Sequence, residues 1–227
     1  MPRKKRAFAE ETSQERALRT VEIADRLDER HPDAGVALAY RNPLQLMVAT
    51  ILSAQCTDER VNQVTPLLFG RFPDAATLSA ASLEEIEEII HPTGFFRQKA
   101  KSIKGSCVII MERFGGEVPR EMDDLTSLPG IGRKTANVVR GGAWGYPGIT
   151  VDTHVKRLSG RLGLTNHSDP VKIEYDLNDL LPEERWFRFS SVLIFHGRRV
   201  CNARKPDCAN CTLTDLCRHF IEETDGD

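Results

Sequence analysis

The chain has 227 residues, of which 40% are hydrophobic, so it can bury a sizeable core as one large domain or two small ones. Its formal net charge of -2 is lower than that of a strongly basic nucleic-acid-binding protein, so composition alone argues mildly against DNA binding. No apolar run reaches the roughly 18 residues that span a bilayer, and the N-terminus lacks the apolar core of a signal peptide. We therefore expect a cytoplasmic protein with no membrane partner.

The N-terminus carries a cluster of positive charge. Residues 3–6 are all cations, whereas the last seven residues, IEETDGD, are acidic. The basic run is either a solvated tail or an auxiliary arm that contacts nucleic acid.

The first half of the chain shows helical spacing with clear start signals. Residues 12–29 form one amphipathic pattern. Asn42 followed by Pro43 is typical of a helix start, and the helix that follows is apolar on nearly every face, which predicts burial. Thr57 opens the next helix, and we expect Pro66 to interrupt it.

Helical spacing continues to the C-terminal region. Ser82 followed by Glu85 predicts a capping box, and a long helical pattern ends at Gly115 and Gly116. Later helical segments cover residues 120–128, 133–144, 153–164, 171–181 and 184–199. Because β-branched residues fall at helical rather than alternating positions, we predict an all-α protein of about ten helices. The glycine-rich stretch 141–148 is the predicted domain boundary.

Four cysteines near the C-terminus predict a metal site. Cys201, Cys208, Cys211 and Cys217 follow the spacing C-x6-C-x2-C-x5-C. Structural zinc sites usually pair two short knuckles, and only one occurs here. An iron-sulfur cluster of the [4Fe-4S] type accepts four thiolates from less regular spacings, so the pattern favours the cluster over zinc.

The loop between the first two of these cysteines carries Arg204 and Lys205. These cations are either ordinary surface charge or a rigid basic finger that binds phosphates. The two remaining cysteines, Cys56 and Cys107, are interpreted as small core residues. Disulfides are not expected in a reducing compartment.

The stretch LPGIGRKTANVV, residues 128–139, allows three interpretations. A P-loop needs glycine directly before its lysine, but Arg133 precedes Lys134. A dinucleotide fingerprint needs a third glycine where this chain has Thr135. A helix-hairpin-helix is the third interpretation, in which the second helix directs free N–H groups at a phosphate. Backbone N–H donors add nothing to net charge, so a net charge of -2 does not exclude phosphate binding of this kind.

Lys134 is either a nucleophile or a solvated helix lysine. A Schiff base requires a neutral amine. The first turn of a helix and the neighbouring Arg133 disfavour the protonated form, whereas a carboxylate at Asp152 close to the amine would favour it. Asp152, in the sequence VDTH, is expected to cap the next helix. Its carboxylate also suits stabilisation of a cationic sugar or proton relay.

Together, LPGIGRKTANVV, VDTH, ILSAQCTD and the cysteine spacing resemble the endonuclease III family, DNA glycosylases and abasic-site lyases of the helix-hairpin-helix superfamily. The resemblance runs from residue 16 to residue 220. It implies two helical domains around a DNA-binding cleft. Residues 36–146 would form a six-helix barrel, and residues 1–35 plus 147–227 would form the domain that carries the [4Fe-4S] cluster.

The resemblance also implies residue roles. Lys134 is the implied nucleophile, Asp152 the carboxylate that assists it, and Gln55 the residue that fills the gap left by a flipped base. Phe95 stands where the family has a bulky wedge, often leucine, so it is either that wedge or a core or lid residue. The residues implied to bind backbone phosphate are Leu128, Gly130, Ile131, Gly132 and Arg133.

The implied activity is base excision repair. The implied substrate is double-stranded DNA with damaged pyrimidines or abasic sites, cut by β-elimination 3′ to the abasic site through a lysine Schiff base. A monomer associated with the nucleoid is expected. Mismatch adenine or thymine glycosylases of the superfamily normally lack the lysine. A non-catalytic DNA-binding or electron-transfer module, or a zinc-stabilised binding protein, would not need Lys134 and Asp152.

Overall fold

The computed structural model describes residue 8 and residues 11–224, and the cationic residues 3–6 lie outside this range. Twelve α-helices and no strand occur in the described residues. The helices are α1 (Ser13–Arg30), α2 (Pro43–Leu52), α3 (Asp58–Arg71), α4 (Ala75–Ala80), α5 (Leu83–Ile90), α6 (Phe96–Arg113), α7 (Met122–Thr126), α8 (Arg133–Trp144), α9 (Thr153–Arg161), α10 (Pro170–Asn178), α11 (Trp186–Arg199) and α12 (Arg218–Thr224). Three-residue 3-10 helices lie at His91–Thr93, Glu183–Arg185 and Cys208–Asn210.

The all-α prediction is confirmed, and the sequence analysis missed two short helices. Helices α4 and α12 have six and seven residues, which give too few turns for a periodic pattern. The signal for α4 was its cap, because Asp74 and Thr77 form a reciprocal capping box. None of the helices in the described range is long and apolar enough to cross a bilayer.

Side-chain caps begin the helices where the sequence predicts them. The Asn42 side chain accepts a hydrogen bond from the Gln45 N–H, with Pro43 at the first helical position. Ser82 and Glu85 form the predicted capping box. Each such cap typically contributes about 1 kcal/mol to stability.

Pro66 does not interrupt α3, so that prediction is wrong. The helix continues from Asp58 to Arg71 with the proline inside it. Val61, Val64 and Leu68 hold the other face of the helix in the core. Pro66 is exposed, so the hydrogen bond lost at the proline faces solvent, where water can replace it.

The described residues form two compact units, one within residues 36–146 and one within residues 1–35 plus 147–227. We call them the hairpin unit and the cysteine unit. The boundary after Tyr146 lies within the glycine-rich stretch 141–148.

In the hairpin unit, α2 packs against α3, α6 and α8. Six of its ten residues are buried, which confirms the prediction of a buried helix. Gly142 permits the close approach of α8, because a Cβ there would lie 2.7 Å from Leu46 Cδ2. The Tyr40 hydroxyl also donates to the Gly142 carbonyl at 2.7 Å.

In the cysteine unit, α1 and α9 pack against α11. Arg19 of α1 is 2% exposed and forms an ion pair with Glu11 at 2.6 Å. Its guanidinium also donates to the Leu162 and Leu216 carbonyls at 2.7 and 3.1 Å. This buried arginine therefore ties α1 to the end of α9 and to the segment before α12.

Candidate active site and cysteine cavity

Residues 127–132 join α7 to α8 and form the predicted hairpin. Leu128 and Ile131 are 2% and 4% exposed, so their side chains anchor the turn in the core. The Ile131 N–H donates to the Leu128 carbonyl at 3.1 Å. Gly130 has φ of 79°, the left-handed conformation that glycine tolerates best. Because these two side chains are buried, Leu128 and Ile131 can contact a ligand only through their backbone atoms.

The two hairpin glycines differ, and this gives a testable pair of variants. A Cβ at Gly130 would lie 2.8 Å from Ser102 Cβ, whereas a Cβ at Gly132 would meet no atom within 4 Å. At Gly130, a new Cβ would both strain the left-handed backbone and overlap with Ser102. We therefore expect Gly130→Ala to lower the free energy of unfolding by about 2–3 kcal/mol. Gly132→Ala should lower it by about 1 kcal/mol or less. Equal losses in chemical denaturation would contradict this account of the turn.

The N-terminus of α8 is suited to binding an anion. Its N-cap, Gly132, supplies no side-chain hydrogen bond to the first turn. The first N–H groups of a helix lack intrahelical partners, and the helix dipole places partial positive charge there. Arg133 is half-buried and Lys134 is exposed in this first turn. The arrangement suits a phosphate at the helix end, with an amine accessible beside it.

Gln55 and Phe95 are the non-glycine residues with left-handed backbone in the part of the chain that the structure describes, with φ of 52° and 48°. Gln55 is exposed in the loop after α2. Phe95 is 67% exposed directly before α6, so the core interpretation of Phe95 is wrong. Such conformations cost roughly 1–3 kcal/mol each and persist where the surrounding structure enforces them, often at ligand sites.

Helix α6 supports the loops of the hairpin unit. The Ser106 hydroxyl donates to the Pro129 carbonyl in the hairpin at 2.8 Å. Lys99 Nζ donates to the Leu52 and Thr93 carbonyls at 2.7 and 2.8 Å. Burial lowers the pKa of Lys99, and the neighbouring Cys56 opposes this shift. Sequence reasoning missed Lys99, because a lysine in the highly charged run RQKAK, residues 97–101, gives no signal of burial.

Asp152 caps α9 as predicted. Its Oδ1 accepts hydrogen bonds from the His154 and Val155 N–H groups, both at 2.8 Å. Burial lowers the pKa of the adjacent His154, while Asp152 raises it and Arg157 lowers it further. The carboxylate of Asp152 is thus held in one orientation by the helix that it begins.

The four C-terminal cysteines line a single cavity. Burial raises the pKa of Cys211 to about 11 and also raises the pKa of Cys217. Among the described residues, no three His, Cys, Asp or Glu side chains are grouped as ligands of one metal ion. A [4Fe-4S] cluster takes four cysteine thiolates on four different irons, so its ligands stand further apart than those of one ion. Four cysteines around one shared cavity are a donor set that fits a [4Fe-4S] cluster.

Two arginines of α9 hold the loop between the first two cysteines. Arg161 donates to Cys201 Sγ at 3.2 Å and to the Asn202 carbonyl at 2.8 Å. Arg157 donates to the Cys201 carbonyl at 2.9 Å. The exposed Arg204 and Lys205 lie on this loop. These contacts fix the Cys201 end of the loop between Cys201 and Cys208, which we call the basic loop.

A buried histidine pair adjoins the cysteine cavity. His196 Nε2 lies 3.4 Å from Cys211 Sγ, and His196 Nδ1 lies 3.1 Å from His31 Nε2. Burial lowers the pKa of His196 to about 4, so this imidazole is neutral near pH 7.

Comparison with known proteins identifies the family. A family model described as HhH-GPD superfamily base excision DNA repair protein matches residues 48–183. Endonuclease III of Synechocystis sp. is 58% identical over 200 residues, which cover 88% of this chain and 91% of that protein. A non-covalent endonuclease III–DNA complex matches with a TM-score of 0.86 and 41% identity, covering 92% of this chain and 98% of that one. A trapped endonuclease III–DNA covalent intermediate, in an estranged-adenine complex, matches with the same values. The chain therefore belongs to the HhH-GPD superfamily and, within it, to the endonuclease III family.

Proposed function

We propose that the protein is a bifunctional DNA glycosylase and abasic-site lyase that removes oxidised pyrimidines from duplex DNA in base excision repair. The observation that carries the proposal is the exposed Lys134 in the first turn of α8, directly after the hairpin and beside an uncapped helix N-terminus. The trapped covalent DNA intermediate of a 41% identical endonuclease III supports covalent chemistry. The protein would act as a monomer. Because its substrate is DNA, it would act at the nucleoid in the cytoplasm.

In the proposed reaction, Lys134 Nζ forms a bond to C1′ of the deoxyribose as the N-glycosidic bond breaks. The base leaves with the bonding electron pair and takes up a proton. The lysine nitrogen then gives up a proton, its lone pair forms the C=N bond as the C1′–O4′ bond breaks, and O4′ takes up a proton, so the opened sugar is held as an imine. The imine acidifies the C2′ protons. Loss of one of them expels the 3′ phosphate and cuts the strand, and water then hydrolyses the imine and frees the lysine.

We propose that several further residues contact the DNA. Gln55 would fill the gap left by the extruded base, and Phe95 would act as the aromatic wedge. The backbone of residues 128–133 would bind phosphate through the N-terminus of α8. Arg204 and Lys205 would add phosphate contacts from the cysteine unit. The hairpin unit and the cysteine unit would correspond to the two domains of the family.

Cys201, Cys208, Cys211 and Cys217 would hold a [4Fe-4S] cluster. When bound, the cluster would supply a structural cross-link for the basic loop. The glycosylase and lyase steps use the lysine and not the cluster.

Asp152 would assist the lysine in addition to capping α9, and two substitutions separate these roles. Asparagine is as good an N-cap as aspartate, so Asp152→Asn should retain stability within about 0.5 kcal/mol. Asp152→Ala should lose about 1 kcal/mol. Both variants should slow single-turnover base release by about 10²-fold or more, because both lack the carboxylate. Wild-type rates for Asp152→Asn would assign the residue to capping alone.

The direct test of the proposal uses purified protein and a duplex with one thymine glycol. The expected products are free base and a strand cut on the 3′ side of the lesion, carrying the sugar fragment. An undamaged duplex is the control. A duplex with adenine opposite an oxidised guanine tests the mismatch-glycosylase alternative, and cleavage of that duplex alone would contradict the proposal.

A further inference from the structure

The buried Lys99 has no role in the proposed chemistry. It lies on α6 and is 4% exposed, yet a buried ammonium is costly unless hydrogen bonds replace its hydration. Both of its hydrogen-bond acceptors in the described structure are backbone carbonyls, those of Leu52 and Thr93. These carbonyls come from segments 41 residues apart in the chain.

Each of the two carbonyls lies at the end of a helix. Leu52 is the last residue of α2, and Thr93 is the last residue of the 3-10 helix His91–Thr93. The final carbonyls of a helix lack intrahelical donors and carry the negative end of its dipole. One lysine head group therefore caps two helix C-termini at once.

The segments that follow these two helix C-termini contain the two non-glycine residues with left-handed backbone in the described structure. Gln55 follows Leu52 by three residues, and Phe95 follows Thr93 by two. A chain spans at most about 3.6 Å per residue. Fixing the Leu52 and Thr93 carbonyls therefore limits the positions that Gln55 and Phe95 can take. Lys99 itself lies on α6, the helix that begins directly after Phe95, and all of these residues belong to the hairpin unit.

We infer that Lys99 is a positioning residue that holds the Gln55 segment and the Phe95 segment at a fixed separation, so that both side chains enter the duplex together. The inference rests on the proposed function, because it assigns Gln55 and Phe95 to the opening of DNA. Lys99 acts through these two residues and does not touch the substrate.

The same helix offers a matched control. Lys104 Nζ donates to the Ala81 carbonyl at the end of α4, at 2.6 Å, and its side chain is half-buried. It also caps a helix C-terminus, but the chain beyond Ala81 leads into α5 and carries neither left-handed residue. Lys99→Met and Lys104→Met thus remove the same kind of hydrogen bond from the same helix.

The experiment measures duplex opening apart from chemistry. The duplex carries a tetrahydrofuran abasic analogue, which cannot form an imine, opposite fluorescent 2-aminopurine. Wild type and Lys104→Met should raise the fluorescence on binding as the orphan base unstacks. Lys99→Met should lose at least half of this rise, and its single-turnover rate on a thymine glycol duplex should fall by about tenfold or more. Its affinity for undamaged duplex should change by less than about threefold, because phosphate contacts remain.

The outcomes separate the inference from the proposed function. A wild-type protein that leaves thymine glycol DNA intact would contradict the proposed function. Wild-type fluorescence and rate in Lys99→Met, or equal losses in Lys99→Met and Lys104→Met, would contradict the role of Lys99. Should Lys99→Met not fold, Lys99→Gln, which keeps a donor but is too short to bridge both carbonyls, takes its place with the same expected losses.

Discussion

Replacing Lys134 with glutamine is expected to lower strand cleavage at thymine glycol by about 10³-fold or more, since the amide cannot form an imine. Binding to the same duplex should weaken by less than about tenfold, because only one cation is lost from the phosphate contacts. Lys134 is exposed, so the substitution should leave the stability of the hairpin unit unchanged within about 0.5 kcal/mol. Single-turnover cleavage and a binding titration measure the two effects.

Lys101→Gln provides the control for this substitution. Lys101 is an exposed lysine on α6 in the same unit, so the change removes an equivalent charge. It should retain wild-type cleavage. Cleavage by Lys134→Gln at the rate of Lys101→Gln would show that another group is the nucleophile.

Replacing Cys211 with serine is expected to remove the metal centre. The wild-type protein should contain about four irons per chain with matching sulfide, and Cys211→Ser should contain almost none. Loss of the cross-link should lower the free energy of unfolding by about 3 kcal/mol or more, because metal binding contributes directly to folding. Elemental analysis and chemical denaturation measure these effects.

Cys56→Ala is the matched control, because Cys56 is half-buried in the hairpin unit and does not line the cysteine cavity. It should retain its iron. One zinc per wild-type chain would instead support the zinc-stabilised alternative. Full iron content in Cys211→Ser would show that Cys211 is not a ligand.

Local signals in the sequence were sufficient to predict much of the fold. The caps at Asn42, Ser82 and Asp152 depend on hydrogen bonds within three residues, so their positions follow from the sequence alone. The hairpin was also predictable, because a short glycine turn between two helical patterns is a local signal, and Gly130 adopts the left-handed conformation there. Pro66 shows the limit of such rules, since core packing of α3 outweighs one lost hydrogen bond.

Long-range features of the candidate site were not predictable. The capping of Leu52 and Thr93 by Lys99 joins residues that are distant in the chain. The exposure of Phe95 depends on the turn that precedes α6, and the sequence left the core and wedge interpretations open. The contact of Arg161 with Cys201 likewise follows from the packing of α9 and not from the spacing of cysteines.

The proposed reaction requires a covalent bond between Lys134 and damaged DNA. Borohydride reduction during the reaction with thymine glycol duplex, followed by sequencing of the cross-linked peptide, detects this bond. The wild-type protein should form a reduced adduct attached at Lys134, and none on undamaged DNA. An intact, iron-containing protein that forms no adduct with either thymine glycol or abasic duplex, or an adduct at another residue, would contradict this mechanism.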